Sequence, residues 1–192
     1  MNRDFIRQSA VALKLLVVMT VLLGIAYPAA VWGVGQVAFH DKANGQIISQ
    51  DGKDVGSAII GQNFKVADDR WFHGRPSAAD YDGLASGPSN LGPSNPALVK
   101  TIKQRQQEIA KIEDVDVAKI PADAVTASAS GLDPYISPAY AALQVDRVAR
   151  ERGLSASTVR ALVRAHTSDR QLGFLGEPKV NVLELNLAIE RQ

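Results

Sequence analysis

The chain has 192 residues, with 21 lysines and arginines against 20 aspartates and glutamates, and no cysteine. The lack of cysteine excludes disulfides, thiolate zinc sites, iron–sulfur clusters and thiol catalysis. A formal net charge of +1 lacks the basic excess of a nucleic-acid footprint. The hydrophobic share of 46% suffices for a packed core, but it is concentrated at the start of the chain.

Arg3, Arg7 and Lys14 precede a stretch from Leu15 to His40 that carries no Asp, Glu, Lys or Arg. Its most apolar part, Leu15 to Val34, rises about 1.5 Å per residue as a helix and so covers roughly 30 Å, one hydrocarbon core. Tyr27 and Trp32 fall where amphipathic rings favour the far interface. Pro28 removes a backbone hydrogen bond and predicts a kink. A cleaved export signal is the competing reading, with small residues at Gly24/Ala26 or Ala29/Ala30. Apolar character continuing through Trp32, Val34, Val37 and Phe39 favours a retained anchor. Either way the remainder is exported. The basic residues ahead of the span, against Asp41 behind it, place the N-terminus in the cytoplasm. The expected organisation is a cytoplasmic N-terminus and transmembrane helix over 1–40, then a single small extracytoplasmic α+β domain over 41–192. Potential partners therefore include membrane lipid but no nucleic acid.

The part after residue 40 carries 18 basic and 19 acidic residues, too even a balance to indicate a charged partner. Residues 46–60 predict a hairpin turning at Asp51-Gly52, flanked by Ile47, Ile48, Val55, Ile59 and Ile60. Trp71-Phe72 is a second apolar piece. From Gly74 to Pro96 the chain is rich in Gly, Pro, Ser and Asn, a long loop for a compact domain. Its repeated Ser-Asn, with Arg75, Leu84 and Leu91, favours an ordered, partner-binding loop over a plain linker. Asn95-Pro96 opens a helix reaching about Ile112. Val125 to Ser130 alternates apolar and hydroxyl side chains, as an extended strand does. Ser137-Pro138 opens a helix ending near Gly153, and Ser155 caps another bearing Val159, Leu162, Val163 and His166. Val180 to Leu183 predicts a short strand, and Leu185 to Ile189 a last helix.

No catalytic constellation emerges. Phosphate loops, dinucleotide fingerprints and H-E-x-x-H are absent, and His40, His73 and His166 have no partners at metal-ligand spacing. His166 reads as a satisfied residue near a helix C-terminus. The acidic pairs Asp68-Asp69, Asp80/Asp82 and Asp114/Asp116 read as solvated loop acids. No catalytic residue, metal ligand or cofactor of its own is therefore expected. Arg170-Gln-Leu-Gly-Phe-Leu-Gly-Glu-Pro178 is unusually apolar for a loop, suiting either core closure or a contact surface.

Several long segments, in order along nearly the whole chain, resemble the KdpC family, the C subunits of bacterial Kdp potassium-transporting ATPases. They are Trp71-Phe-His-Gly-Arg-Pro-Ser-Ala78, Ser86-Gly-Pro-Ser-Asn-Leu-Gly-Pro-Ser-Asn-Pro96, residues 121–134, Ile136-Ser-Pro-Ala-Tyr140, His166-Thr167, Arg170 to Pro178 and Val180 to Leu183. The resemblance implies an accessory subunit beside a potassium-channel-like subunit and a P-type ATPase subunit. The chain has neither a D-K-T-G phosphorylation motif nor a filter-like pore segment. The resemblance also implies a catalytic-chaperone role, raising the ATP affinity of the ATPase subunit, with Gln171 at the implicated glutamine. ATP would then enter only through that subunit. The charge bias places Gln171 outside the membrane, opposite the cytoplasmic nucleotide. Where the pattern G-L-D-P-H-I-S-P calls for histidine, this chain has Tyr135, which removes a metal or proton role and leaves packing or hydrogen bonding. For docking on the channel-like subunit, the candidate residues are Arg75, Asn90 and Asn95 in the polar loop, and Arg170, Phe174 and Glu177 in the later segment. The alternative is an exported module that gathers or filters K+ at the channel entrance.

Overall fold

The computed structural model describes residues 3–64 and 68–192. The chain divides into two compact units, one ending at Ile47 and one beginning at Ile48.

The first unit is dominated by one helix, α1, Arg3–Ala38, long and apolar enough to cross a membrane. Its large apolar side chains are exposed all round, the distribution of a helix solvated by lipid. The expected effect of Pro28 takes a specific form. Leu22–Ala26 is wound as a π-helix, and the amide of Tyr27 donates to the carbonyl of Leu22 five residues back. Widening the turn ahead of the proline accommodates its ring and its missing donor. The helix stops at Phe39, where φ is −139°. Asn44 secures the following turn by donating from Nδ2 to the His40 carbonyl at 2.7 Å and to Gln36 Oε1 at 3.0 Å.

The second unit is α+β, with two small sheets. Its first sheet is the expected hairpin, β1 Ile47–Gln50 and β2 Lys53–Ser57. Asp51 and Gly52 both have positive φ, 51° and 74°, the pairing that matches strand twist in a two-residue turn. The expected helices follow: α2 Pro96–Glu113, α4 Pro138–Arg152, α5 Ala156–Ala165 and α6 Val182–Glu190, with a short α3, Ala122–Val125. Asn95, Ser137, Ser155 and Asn181 each accept a backbone N–H at a helix start, satisfying donors that the first turn leaves unpaired. The second sheet is antiparallel in the order β3–β5–β4, with β3 Tyr135–Ile136, β4 Thr167–Ser168 and β5 Lys179–Asn181. Val180, in its centre, pairs with Ile136 and Thr167. The core gathers Val145 and Val148 of α4, Val159 and Val163 of α5, and Leu185 and Ile189 of α6 around Val180 and Phe72.

One expected strand is absent. Val125 ends α3, and residues 126–130 lie in no strand. The alternation arises from a different cause. Val125 and Ser128 are buried, while the Thr126 hydroxyl donates to the Ala122 carbonyl at 2.7 Å and Ser128 Oγ accepts from the Gly131 amide at 2.9 Å. The carbonyls a sheet would use instead receive side chains and amides from the 74–96 loop.

Candidate functional site: a clamped loop, a cavity and an apolar hairpin

The segment Trp71-Phe72-His73 lies extended through the core, and side-chain amides replace neighbouring strands. Asn186 accepts from the Phe72 amide at 2.8 Å and donates to the Phe72 carbonyl at 3.0 Å. Gln144 does the same for His73, at 2.7 and 3.1 Å. Both amide side chains are fully buried, so these bonds satisfy groups that water cannot reach. Arg147 completes the clamp. Its guanidinium donates to the Asp69 and Trp71 carbonyls at 2.5 and 2.9 Å, to Gln144 Oε1 at 2.8 Å and to Glu113 Oε1 at 2.9 Å. The Arg147 and Glu113 side chains are 1% and 3% exposed, which makes this a buried ion pair linking α2 to α4.

Beyond the clamp, residues 75–87 of the 74–96 loop are tied to residues 126–133 by hydrogen bonds. Arg75 turns inward, donating to Asp133 at 3.2 Å and to the Thr126 and Ala127 carbonyls at 3.4 and 3.5 Å. Tyr81 donates its hydroxyl to the Arg75 carbonyl at 2.6 Å, and burial pushes its pKa up to about 12. Ser77 donates to the Gly131 carbonyl at 2.7 Å, and the Gly87 amide to that of Ser130 at 2.9 Å. Gly131 has φ of +69°, and a Cβ there would lie 2.9 Å from the Gly87 carbonyl oxygen; both conditions require glycine. Asn90 is exposed with φ of 56°, a conformation asparagine tolerates. Asn95 is the α2 cap, accepting from Ala97 at 2.9 Å.

Under this loop lies a cavity of about 480 Å³, lined on one side by His73, Arg75 and Tyr81 and on the other by Arg105, Glu113 and Tyr140. Burial, reinforced by the charge of Arg147, depresses the His73 imidazole to about 4, so it is neutral near pH 7. Burial raises the Glu113 carboxyl, against the pull of Arg147. Burial also lowers the Arg105 guanidinium from its ordinary value; that residue donates to the Val125 carbonyl at 3.0 Å.

The 170–178 segment gathers four of the sequence candidates into one hairpin. Gln171 and Leu175 exchange backbone hydrogen bonds at 2.9 Å in each direction. Arg170 and Glu177 pair across the base at 2.6 Å. Leu172 and Phe174 stand 83% and 68% exposed at the tip. Leu172 also has φ of 53°, a conformation unusual for a bulky residue. The segment is therefore surface and not core closure. Gln171 is exposed and is not among the residues that line the cavity.

Tyr135, which replaces the expected histidine, packs its ring beneath Lys179, whose Nζ lies 3.6 Å from the ring centroid. This is the packing role left open for it. His166 is half-buried at the end of α5, its Nδ1 2.9 Å from the Leu162 carbonyl oxygen.

The family model for the c chain of K+-transporting ATPases, KdpC, matches residues 9–191. The chain belongs to the KdpC family. Relatives named as the KdpC subunit of a potassium-transporting ATPase include one from Koribacter versatilis, 54% identical over 91% of this chain and 89% of the relative. Those from Methylococcus capsulatus and Kineococcus radiotolerans are 52% and 50% identical, over 93% and 97% of this chain and 95% and 94% of theirs. The resemblance drawn from the sequence motifs is thereby borne out. Sequence reasoning missed Glu113, Gln144, Arg147 and Asn186; their only signal is a polar residue within an otherwise apolar helical stripe.

Proposed function

We propose that this chain is a non-catalytic accessory subunit of an ATP-driven potassium import complex, assembling or stabilising it from the outer face of the inner membrane. Helix α1 anchors the chain in lipid with its N-terminus in the cytoplasm, as the bias of Arg3, Arg7 and Lys14 favours, and the unit after it lies outside. It docks on the channel-like subunit through the 170–178 hairpin, with Asn90 and Asn95 on a second contact. The P-type ATPase subunit belongs to the same assembly. The observation that carries this reading is the hairpin tip. Leu172 and Phe174 are exposed on a braced turn with Leu172 in a left-handed conformation, and such strain persists where surrounding structure or function maintains it. Exposed aromatic and aliphatic anchors of this kind suit the buried centre of an interface.

Leu172→Ser with Phe174→Ser should reduce co-purification of the channel-like subunit at least tenfold while leaving the unfolding midpoint unchanged. Undiminished assembly and transport would refute docking at the tip. Sidedness separates this reading from the catalytic-chaperone one. In a Gln171→Cys variant the chain's only cysteine can be labelled with a membrane-impermeant thiol reagent. Labelling in intact cells excludes direct contact between residue 171 and cytoplasmic ATP. Labelling only after permeabilisation reverses the topology and makes modulation of ATP affinity through Gln171 the leading function. The K+-gathering alternative has less support, because the acidic and basic residues beyond α1 nearly balance.

A further inference from the structure

In an unbroken α-helix the carbonyl of Leu23 would accept from the amide of Tyr27, four residues on. Here that amide donates to Leu22 instead. In π-winding the Leu23 carbonyl would accept from residue 28, but residue 28 is proline and has no N–H. The Leu23 carbonyl therefore has no backbone donor at either helical position. The hydroxyl nearest in sequence, that of Thr20, is spent on the Leu16 carbonyl at 2.8 Å. Leu23 lies about 12 Å along the apolar run that begins at Leu15, near the middle of a hydrocarbon core of roughly 30 Å. An unsatisfied backbone carbonyl at that depth is costly. Proline-interrupted membrane helices are completed by local hydroxyls, by rewinding, by water or by neighbouring helices. The first two are used up here, and the depth excludes bulk water. We infer that the π-turn of α1 is a docking point for a transmembrane helix of a partner subunit, whose neutral side-chain donor (Ser, Thr, Asn or Gln) bonds the Leu23 carbonyl.

The surface beside that carbonyl suits a close approach. Gly24 completes the same peptide unit, and a Cβ there would meet only Thr20 Cγ2 at 4.0 Å, so no side chain stands over the carbonyl from that side. Small residues let membrane helices come near enough for such bonds. The donor is neutral because α1 carries no Asp or Glu from Leu15 onward to offset a lysine or arginine brought to the same depth. A second copy of α1 is a poorer match, because its hydroxyl near this depth is already spent within the helix. Single π-turns inside α-helices are frequent at functional positions, and this one lies in a helix whose large apolar side chains are exposed all round. The inference rests on the reading of this chain as a subunit of a membrane assembly, and it is independent of the 170–178 hairpin.

Labelling with carbonyl-13C leucine and 15N glycine selects leucine carbonyls that precede glycine, those of Leu23, Leu91, Leu172 and Leu175. Leu23→Ile removes the first signal and so assigns it. Solid-state NMR then reads the Leu23 carbonyl in lipid bilayers, in the full chain alone and in the assembled potassium-transporting complex. It should resonate upfield, as a free carbonyl, in the chain alone and move downfield in the complex. Pro28→Leu returns the missing amide and α-winding, so in that variant the carbonyl should be downfield in the chain alone. Gly24→Leu keeps the proline but covers the carbonyl. Co-expressed with the wild-type chain, it should be under-represented in the purified complex by about three- to tenfold, the worth of one interhelical hydrogen bond. A Leu23 carbonyl at one position in both samples, or already downfield in the wild-type chain alone, would overturn the inference, as would equal incorporation of Gly24→Leu. A chain that joins no complex refutes the subunit reading and this inference with it, whereas an unchanged Leu23 signal inside an assembled complex refutes only docking at the π-turn.

Discussion

The burial of His73 makes the fold pH-dependent in a direction that can be calculated. Its imidazole titrates at about 4 in the folded protein, against 6.5 for the group in water. Between those values the unfolded chain binds the proton more readily, so stability is complete above about pH 6.5 and is lost as pH falls toward 4. Integrating the proton uptake of this one group from pH 7 to pH 5 gives a loss of about 2 kcal/mol. With a urea slope of about 1–3 kcal/mol per molar, the unfolding midpoint should fall by about 1 M. The assay is urea unfolding followed by Trp71 fluorescence, in a Trp32→Phe background that silences the helix. The neighbours are accounted for. Arg147 helps to keep the imidazole neutral, while the Asp68 and Asp69 charges oppose it. Glu113, raised by burial, gains stability as pH falls and partly offsets the loss. Asp68 itself is held near 2 by its pairing with Arg70 and titrates below the window. His73→Gln removes the imidazole and leaves the other groups, so it should flatten the slope between pH 7 and 5 while lowering stability overall. A variant with the wild-type slope, or a folded His73 whose ring resonances titrate near 6.5, would refute the reasoning.

Arg147→Met should cost about 3–5 kcal/mol, because Glu113 is then a buried charge without its partner and the Asp69 and Trp71 carbonyls lose their donor. Urea unfolding checks it, and adding Glu113→Leu should recover much of the loss. Asn95→Ala should cost about 1 kcal/mol as a lost helix cap; thermal unfolding measures it, and any docking effect of this residue counts only beyond that loss. Asn186→Leu, which strips the Phe72 amide and carbonyl of both partners, should cost about 2–5 kcal/mol from two unsatisfied buried groups, seen as a lower urea midpoint.

The parts of this fold that local chemistry dictates were legible in the sequence. Asp51-Gly52 demanded a tight hairpin, Asn95-Pro96 and Ser137-Pro138 demanded helix starts, and the uncharged run after Lys14 demanded a helix of membrane length. Residues 125–130 misled because period-two alternation has more than one cause. A strand alternates to present one face to a core, whereas here Val125 is buried at a helix end and the hydroxyls serve turns. Nothing local distinguishes the two, since the deciding contacts come from Arg75, Ser86 and Gly87, about forty to fifty residues earlier.

The clamp escaped for a related reason, but it left a trace. In α4, Tyr140, Ala141, Val145 and Val148 mark the buried stripe, and Gln144 falls inside it at i+4 from Tyr140. In α6, Asn186 sits beside Leu185 and three residues before Ile189, both buried. A side chain able to donate and accept, set in an apolar stripe, must find backbone or another polar group there. The extended Trp71-Phe72-His73 segment supplies that backbone, having no strand beside it among the described residues. Each is the answer to the other's unpaired groups, and neither helix nor segment read alone contains the pairing. Arg147 obeys the same logic with a charge added: four acceptors converge on a guanidinium that local propensity would place in solvent.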